Sequence, residues 1–279
     1  MEQDLDLAFA YSKPLDLDEY EKAPLGQGVF GTVYSIKKKT CHMSEPQNIC
    51  AGCIYCVAAV KHSRNSPDLD EEAAIHKTLR HPNIVRFYAF SNNGLYMEPC
   101  LQGSLDKFVD GMSFAKASKY MRKVMSAVMY LLDNNIAHMD LKPSNILLSN
   151  DCPKISDFGG AKRLVNGWCK LDQYTKQAAP PEVMRYVYSS GSNVLDGKSV
   201  DIWSAGITFI CLLIGKYPWA FARSSCVEYK EWENENENSS LGKVLSKKSP
   251  YGLHVISSML TQYYCNRPSA IDVLSMLLK

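Results

Sequence analysis

The amino-acid sequence predicts an α+β fold in which strands come first and helices afterwards. Two observations carry that prediction. The first third alternates apolar and polar residues in short runs broken by glycine, the pattern of half-buried antiparallel strands. After Pro99 the apolar spacing lengthens to that of helices, so the change of character falls near residues 98–101. With 279 residues, 46% hydrophobic and 22% charged, the chain is long enough to bury a core, as one large domain or two lobes.

The elements follow in order. Residues 1–20 carry Asp4, Asp6, Asp16, Asp18 and Glu19, too acidic for a secretory or transit leader; residues 1–16 read as an acidic tail. Strands are expected over residues 30–36 and 54–60. One helix then interrupts them. Pro67 and Asp68 mark its start, Asp70, Glu71 and Glu72 fill its first turn, and Ile75 and Leu79 share a face. Strands resume over residues 84–90 and 95–98, and helices are expected over 114–132, 200–214, 255–260 and 270–278. Residues 231–240, where Glu and Asn alternate, read as a solvated loop. No internal repeat is present.

Composition narrows the function. A net charge of +2, with no dominant basic stripe, argues against a general nucleic-acid binder. No apolar run reads as long enough to span a membrane. Ten cysteines are scattered through a chain too large to need stapling, so reduced thiols in the cytosol or nucleus are expected. Cys41, Cys50, Cys53 and Cys56, with His42 nearby, admit zinc as the alternative to buried or loop thiols. Cys56 also reads as part of a strand.

Three motifs carry chemistry. Gly26-Gln27-Gly28-Val29-Phe30-Gly31 would let backbone N–H groups fold closely over phosphates. A strand follows it, whereas a dinucleotide-binding turn leads into a helix. Ala58-Ala59-Val60-Lys61 ends an apolar strand on a lysine, and Glu72 on the following helix is placed to hold that ammonium. His138-Met139-Asp140-Leu141-Lys142-Pro143-Ser144-Asn145 is followed by Asp157-Phe158-Gly159. Such a set suits phosphoryl transfer: a carboxylate orients the attacking hydroxyl, a lysine meets the phosphoryl group, and Asn and Asp oxygens hold magnesium.

Taken in order, these motifs resemble those of the protein kinase superfamily, over about residues 17–279. The resemblance implies a two-lobed fold, with a small antiparallel-sheet N-lobe (17–99) and a larger helical C-lobe (100–279). It implies that Asp140 is the catalytic base, that Lys142 contacts the phosphoryl group, and that Lys61 and Glu72 form the phosphate-clamping pair. Asn145 and Asp157 resemble the magnesium ligands. ATP is then cradled by Leu25, Gly26, Gly28, Phe30, Gly31 and Val33, with Ala59, Val33 and Leu147 around the adenine. Met97 resembles the gatekeeper, and the backbone of Glu98 and Cys100 would bond the adenine edge. Pro180-Pro181-Glu182 resembles the Ala-Pro-Glu motif, with Arg267 as the partner of Glu182, and Asp201 resembles the brace of the catalytic loop. Lys142 and Thr175 point to serine/threonine specificity. The family further implies protein substrates, no direct nucleic-acid or membrane partner, a monomeric catalytic domain, and a place in the nucleus or cytoplasm.

A narrower similarity is to the checkpoint effector kinases of the DNA-damage response. It rests on residues 72–90, 103–105, 215–219 and 225–232. The chain also departs from the pattern. Met139 stands where many kinases carry an arginine that grips a phosphorylated activation loop. Ser104 and Ser144 stand where arginine-reading relatives carry glutamates, with Asp106 and Asp110 close by. Two other classes of function are compatible with the sequence: a pseudokinase, which binds nucleotide or partners without transfer, and a metal-organised adaptor built on the Cys41–Cys56 cluster, which would carry stoichiometric zinc.

Overall fold

A computed structural model of the chain describes residues 20–28, 31–38, 57–62, 66–91, 93–108, 110–187 and 194–279. The acidic tail, Phe30, His42 and the Cys41–Cys56 cluster lie outside the described residues. The chain divides into two compact units: residues 1–80 with 85–101, and residues 81–84 with 102–279.

The first unit is a five-stranded antiparallel sheet with one helix. Its strands are β1 (Tyr20–Gly28), β2 (Gly31–Lys38), β3 (Val57–His62), β4 (Phe87–Ser91) and β5 (Gly94–Met97), in the spatial order β1-β2-β3-β5-β4. The helix is α1 (Ser66–His76). Alternation along the strands sorts side chains onto two faces. Ile36, Ala58, Val60, Ala89 and Tyr96 gather into one buried cluster. The opposite face carries Val33 against Lys61 and Ala59 against Met97, as cross-strand partners. Residues 84–86 are not part of a strand: Ile84, itself a residue of the second unit, makes an isolated bridge to Ile155.

The second unit is built on two helices, α2 (Phe114–Asp133) and α4 (Gly197–Ile214). Ser113 caps α2, accepting from the Lys116 N–H, and Tyr120, Val124, Val128 and Leu131 form part of its buried stripe. Asp196 caps α4, and Gly215, at φ 76°, ends it in the left-handed conformation that glycine adopts without strain. Short strand pairs join β6 (Ile136–Ala137) to β9 (Lys162–Arg163), β7 (Ile146–Ser149) to β8 (Cys152–Ile155), and β10 (Trp168–Lys170) to β11 (Val194–Asp196). The remaining helices are α3 (Pro181–Val187), α5 (Val227–Glu235), α6 (Ser240–Lys248), α7 (Pro250–Met259) and α8 (Ala270–Leu277).

Two further expectations are corrected. Residues 231–240 are not a loop: α5 runs to Glu235, a turn of 3₁₀ helix follows at Asn236–Asn238, and α6 begins at Ser240. The polar alternation hid the helix because Tyr229 and Trp232 alone anchor α5, and Ser239 starts α6 by accepting from the Gly242 N–H. Secondly, α4 is 18 residues long with mean hydropathy 1.4, apolar enough by length and composition to cross a membrane. It is 89% buried inside the protein, as a helix apolar on every side must be when it forms the centre of a core.

Candidate active site

In the first unit the sheet register sets the site. Ala59 and Lys61 are two residues apart on β3, so both point to one face, and Val33 and Met97 stand opposite them on the neighbouring strands. That face is small and apolar except at Lys61. The Lys61 ammonium donates to Glu72 Oε2 at 2.7 Å, with both side chains buried. A buried ammonium and carboxylate hold one another in place because either alone would lack compensation. Gly26, Gly28 and Gly31 lie in the β1–β2 ladder, where Gly26 faces Val33 and Gly28 faces Gly31. Leu25 falls at the register shift between Pro24 and Gly26, and is exposed. Beyond β5, the Glu98 N–H donates to Arg86 O at 2.9 Å, and Glu98 Oε2 accepts from the Arg86 N–H at 3.2 Å. Cys100 is buried nearby in sequence.

In the second unit the loop from His138 to Asn145 is folded around Asp140. Oδ2 of Asp140 accepts from Lys142 Nζ at 2.7 Å, and Oδ1 accepts from the Thr175 hydroxyl at 2.6 Å. Lys142 Nζ also reaches Thr175 Oγ1 at 2.8 Å. Asn145 Nδ2 donates to the Asp140 carbonyl at 2.9 Å and to Oδ2 at 3.2 Å. Leu147 follows on β7 and bridges Ser104. The Ser104 hydroxyl donates to exposed Asp106 at 2.5 Å, so the serine is bound to the neighbouring carboxylate.

The loop is held from behind by a buried acid. Asp201, on α4, accepts from the His138 N–H at 2.7 Å and from the Met139 N–H at 2.8 Å. Met139 has φ 65°, an unusual conformation for a residue with a side chain, and these bonds support it. Burial pushes the Asp201 carboxyl up to about 6, against the pull of His138 and the two backbone donors. His138 Nε2 lies 3.0 Å from Ser156 O, and its ring packs 5.2 Å from that of Phe158. Asp157, next in sequence, also takes a left-handed φ of 61°.

The segment between Asp157 and Glu182 is tied at several points. Strand β9 pairs with β6, and Lys162 forms a 2.7 Å ion pair with Asp172. Strand β10 pairs with β11, setting Cys169 opposite Leu195. Cys169 Sγ lies 3.7 Å from Met139 Sδ, with both residues buried. At its end, Glu182 grips Arg267 through two bonds of 2.6 and 2.8 Å. Arg267 also donates to Ser199 O and Thr261 O, and its guanidinium lies 4.8 Å from the Trp203 ring.

The chemistry of Asn145 and Asp157 fits magnesium. Asn145 uses Nδ2 on Asp140, which leaves its carboxamide oxygen for a cation, and Asp157 supplies a hard carboxylate oxygen. Among the described residues no cluster of three His, Cys, Asp or Glu side chains could hold a metal by itself. A magnesium here would complete its shell with phosphate oxygens and water.

Sequence reasoning missed the β10–β11 clamp and the Cys169–Met139 contact. One signal was available: Asn166-Gly167 between Val165 and Trp168 is a strong two-residue hairpin turn. In the structure Asn166 and Gly167 have φ 53° and 89°, and Val165 and Trp168 exchange backbone bonds of 2.9 and 3.0 Å.

Residues 20–277 match the family described as protein kinase domain. Serine/threonine-protein kinase grp of Drosophila melanogaster is 28% identical over 252 residues, covering 85% of this chain and 46% of that protein. Mitogen-activated protein kinase kinase kinase 5 of Homo sapiens is 33% identical over 213 residues, covering 71% of this chain and 15% of that protein. Serine/threonine-protein kinase hal4 of Schizosaccharomyces pombe is 29% identical over 225 residues, covering 74% and 34%. The chain thus spans less than half the length of each of these relatives.

Proposed function

The chain belongs to the protein kinase family, and from that premise we propose that it transfers the γ-phosphoryl group of ATP to serine or threonine hydroxyls of protein substrates. The observation that carries the reading is the arrangement at Asp140. One of its oxygens accepts from the Thr175 hydroxyl at 2.6 Å, while Lys142 and Asn145 hold the other. A carboxylate so fixed orients an attacking hydroxyl and takes its proton. Lys142 meets the negative charge of the phosphoryl group, and Lys61, held by Glu72, neutralises phosphate oxygens without reorganising. Asn145 and Asp157 would hold magnesium, which when bound would supply positive charge to the phosphates. Within the first unit Val33, Ala59 and Met97 offer the adenine an apolar lining and the backbone at Glu98 and Cys100 bonds its edge, and Leu147 takes the adenine-contact role that the family implies.

The finer reading is a member similar to the checkpoint effector kinases, acting in DNA-damage or cell-cycle signalling as a monomer in the nucleus or cytoplasm. Its support is the similarity over residues 72–90, 103–105, 215–219 and 225–232. Part of that similarity is packing. Trp219 lies 5.2 Å from Tyr229 and 6.2 Å from Trp232, and Trp203 completes the cluster.

The test is phosphotransfer from labelled Mg-ATP to a generic protein substrate. Wild-type protein should label it, and Asp140→Asn should lower the rate by at least about a hundredfold, the scale of lost general-base catalysis. Nucleotide binding without labelling would establish the scaffold reading instead.

A further inference from the structure

None of the roles above uses the hydroxyl of Ser156, which immediately precedes Asp157. Strands β7 and β8 set Ile146 opposite Ile155, so one step beyond the ladder Asn145 stands opposite Ser156. There Ser156 makes two bonds to one atom. Its N–H donates to Asn145 O at 2.9 Å, and its hydroxyl donates to the same oxygen at 3.0 Å. Continuing the ladder needs only the first. The second grips the Asn145 carbonyl through its other lone pair. Ser156 and Asn145 are both buried, at 6% exposure each, so bulk water competes little for either bond.

The hydroxyl also closes a ring of hydrogen bonds. The Asp140 N–H donates to His138 Nδ1 at 3.3 Å, and His138 Nε2 donates to Ser156 O at 3.0 Å. The Ser156 hydroxyl donates to Asn145 O, and Asn145 Nδ2 donates to Asp140 O at 2.9 Å. Every step runs in the same sense. It gives His138 one tautomer, because Nδ1 accepts an N–H while a carbonyl oxygen can only receive the proton of Nε2. The ring joins the proposed base, Asp140, to one proposed magnesium ligand, Asn145. It passes through the residue covalently bonded to the other, Asp157, whose left-handed φ of 61° has to be held by its surroundings.

We propose that Ser156 is a positioning residue for the metal site: its hydroxyl sets the separation of Asn145 and Asp157, and with it the affinity for the magnesium that accompanies nucleotide. The inference rests on the assignment of magnesium to those two residues. Magnesium demands near-octahedral geometry at short bond lengths, so a small change in the spacing of two ligands costs affinity. Removing the hydroxyl orphans no buried group, because Asn145 O keeps the Ser156 N–H. Ser156→Ala should therefore fold with nearly wild-type stability, and its defect should lie in metal binding.

The measurement is the dissociation constant of ATP by titration calorimetry, once with excess magnesium and once with a chelator, alongside the Tm of the protein without ligand. In wild type, magnesium should tighten ATP binding. In Ser156→Ala that tightening should be smaller by about five- to tenfold, the scale on which a hydrogen-bonded partner of a metal ligand acts. Affinity in chelator should stay at the wild-type value. Ser156→Thr keeps the hydroxyl and should recover most of the effect, whereas Ser156→Val, the same shape without it, should not. Wild-type tightening in Ser156→Ala, or equal values for the Thr and Val variants, would overturn the inference. So would a lowered Tm in Ser156→Ala with the magnesium effect intact, which would leave the hydroxyl a structural role alone. If magnesium does not tighten ATP in wild type, or still does so fully in Asp157→Ala, the metal assignment itself falls and this inference falls with it.

Discussion

At Asp201 two backbone N–H groups supply what burial removes, and the balance has a pH signature. The carboxyl is raised from 3.8 to about 6 in the folded protein, above its unfolded value. Between those values the folded chain keeps a proton that the unfolded chain has released, so stability from this group falls as pH rises through the window. The full effect is about 3 kcal/mol. Asp201→Asn has no such titration, so the stability of wild type relative to the variant should shrink between about pH 4 and pH 6 when followed by urea unfolding. A constant difference would mean that Asp201 is not raised. Substrate choice is also decided by single residues. Ser104 and Ser144 bring no charge to bind a guanidinium, and Ser104 is itself bonded to Asp106. Peptides with arginine rather than alanine three residues before the acceptor should gain less than about thirtyfold in kcat/KM, the equivalent of 2 kcal/mol. Ser144→Glu should raise the gain. The chemical residues were legible because phosphoryl transfer admits few residue types at few spacings. The Ser104–Asp106 bond was not, since a hydroxyl's partner depends on local geometry.

Among the elements, the segment from Asp157 to Glu182 is ordered by means other than a phosphate. Strand pairs at both β9 and β10, the Lys162–Asp172 pair and the Cys169–Met139 contact hold it. Gly197 shows how close that packing is, because an added Cβ would come within 2.6 Å of Leu164 Cδ2 and 2.9 Å of Ala137 Cβ. Thr175 is engaged with Asp140 and Lys142, and a phosphate there would break those bonds. Exhaustive phosphatase treatment should therefore leave turnover unchanged; a large loss restored by rephosphorylating this segment would refute the reading. Met139→Arg should place an unpaired charge in an apolar contact, costing about 3–5 kcal/mol and most of the activity. Cys169→Asp should restore part of it in the double variant. The long helices were legible because α2 and α4 carry sustained apolar patterns. Helices α3, α5 and α6 were not, because each is short and held by a few contacts from elsewhere in the chain.

For the whole molecule, the order of strands and then helices was readable because periodicity is a local property. The strand order β1-β2-β3-β5-β4 was not, since pairing β3 with β5 depends on residues far apart in sequence. The proposed roles assign phosphate contacts to Lys61 and magnesium to Asn145 and Asp157. Nucleotide should then raise the stability of the folded protein, because a ligand that binds only the folded state adds stability by mass action. At a hundred times its dissociation constant the gain is about 2.7 kcal/mol, or a rise in Tm on the order of 5–10 °C for a chain of this size. Magnesium should enlarge that rise in wild-type protein by tightening nucleotide binding. In Asp157→Ala the rise should be the same with magnesium as with a chelator, while the fold stays intact and turnover falls by orders of magnitude. In Lys61→Ala the magnesium-dependent part should survive, because its ligands remain. Thermal unfolding of the three proteins with ATP, with and without magnesium, separates these outcomes. If Asp157→Ala keeps both the magnesium-dependent increment and near-normal turnover, the assignment of the metal to Asp157 is wrong.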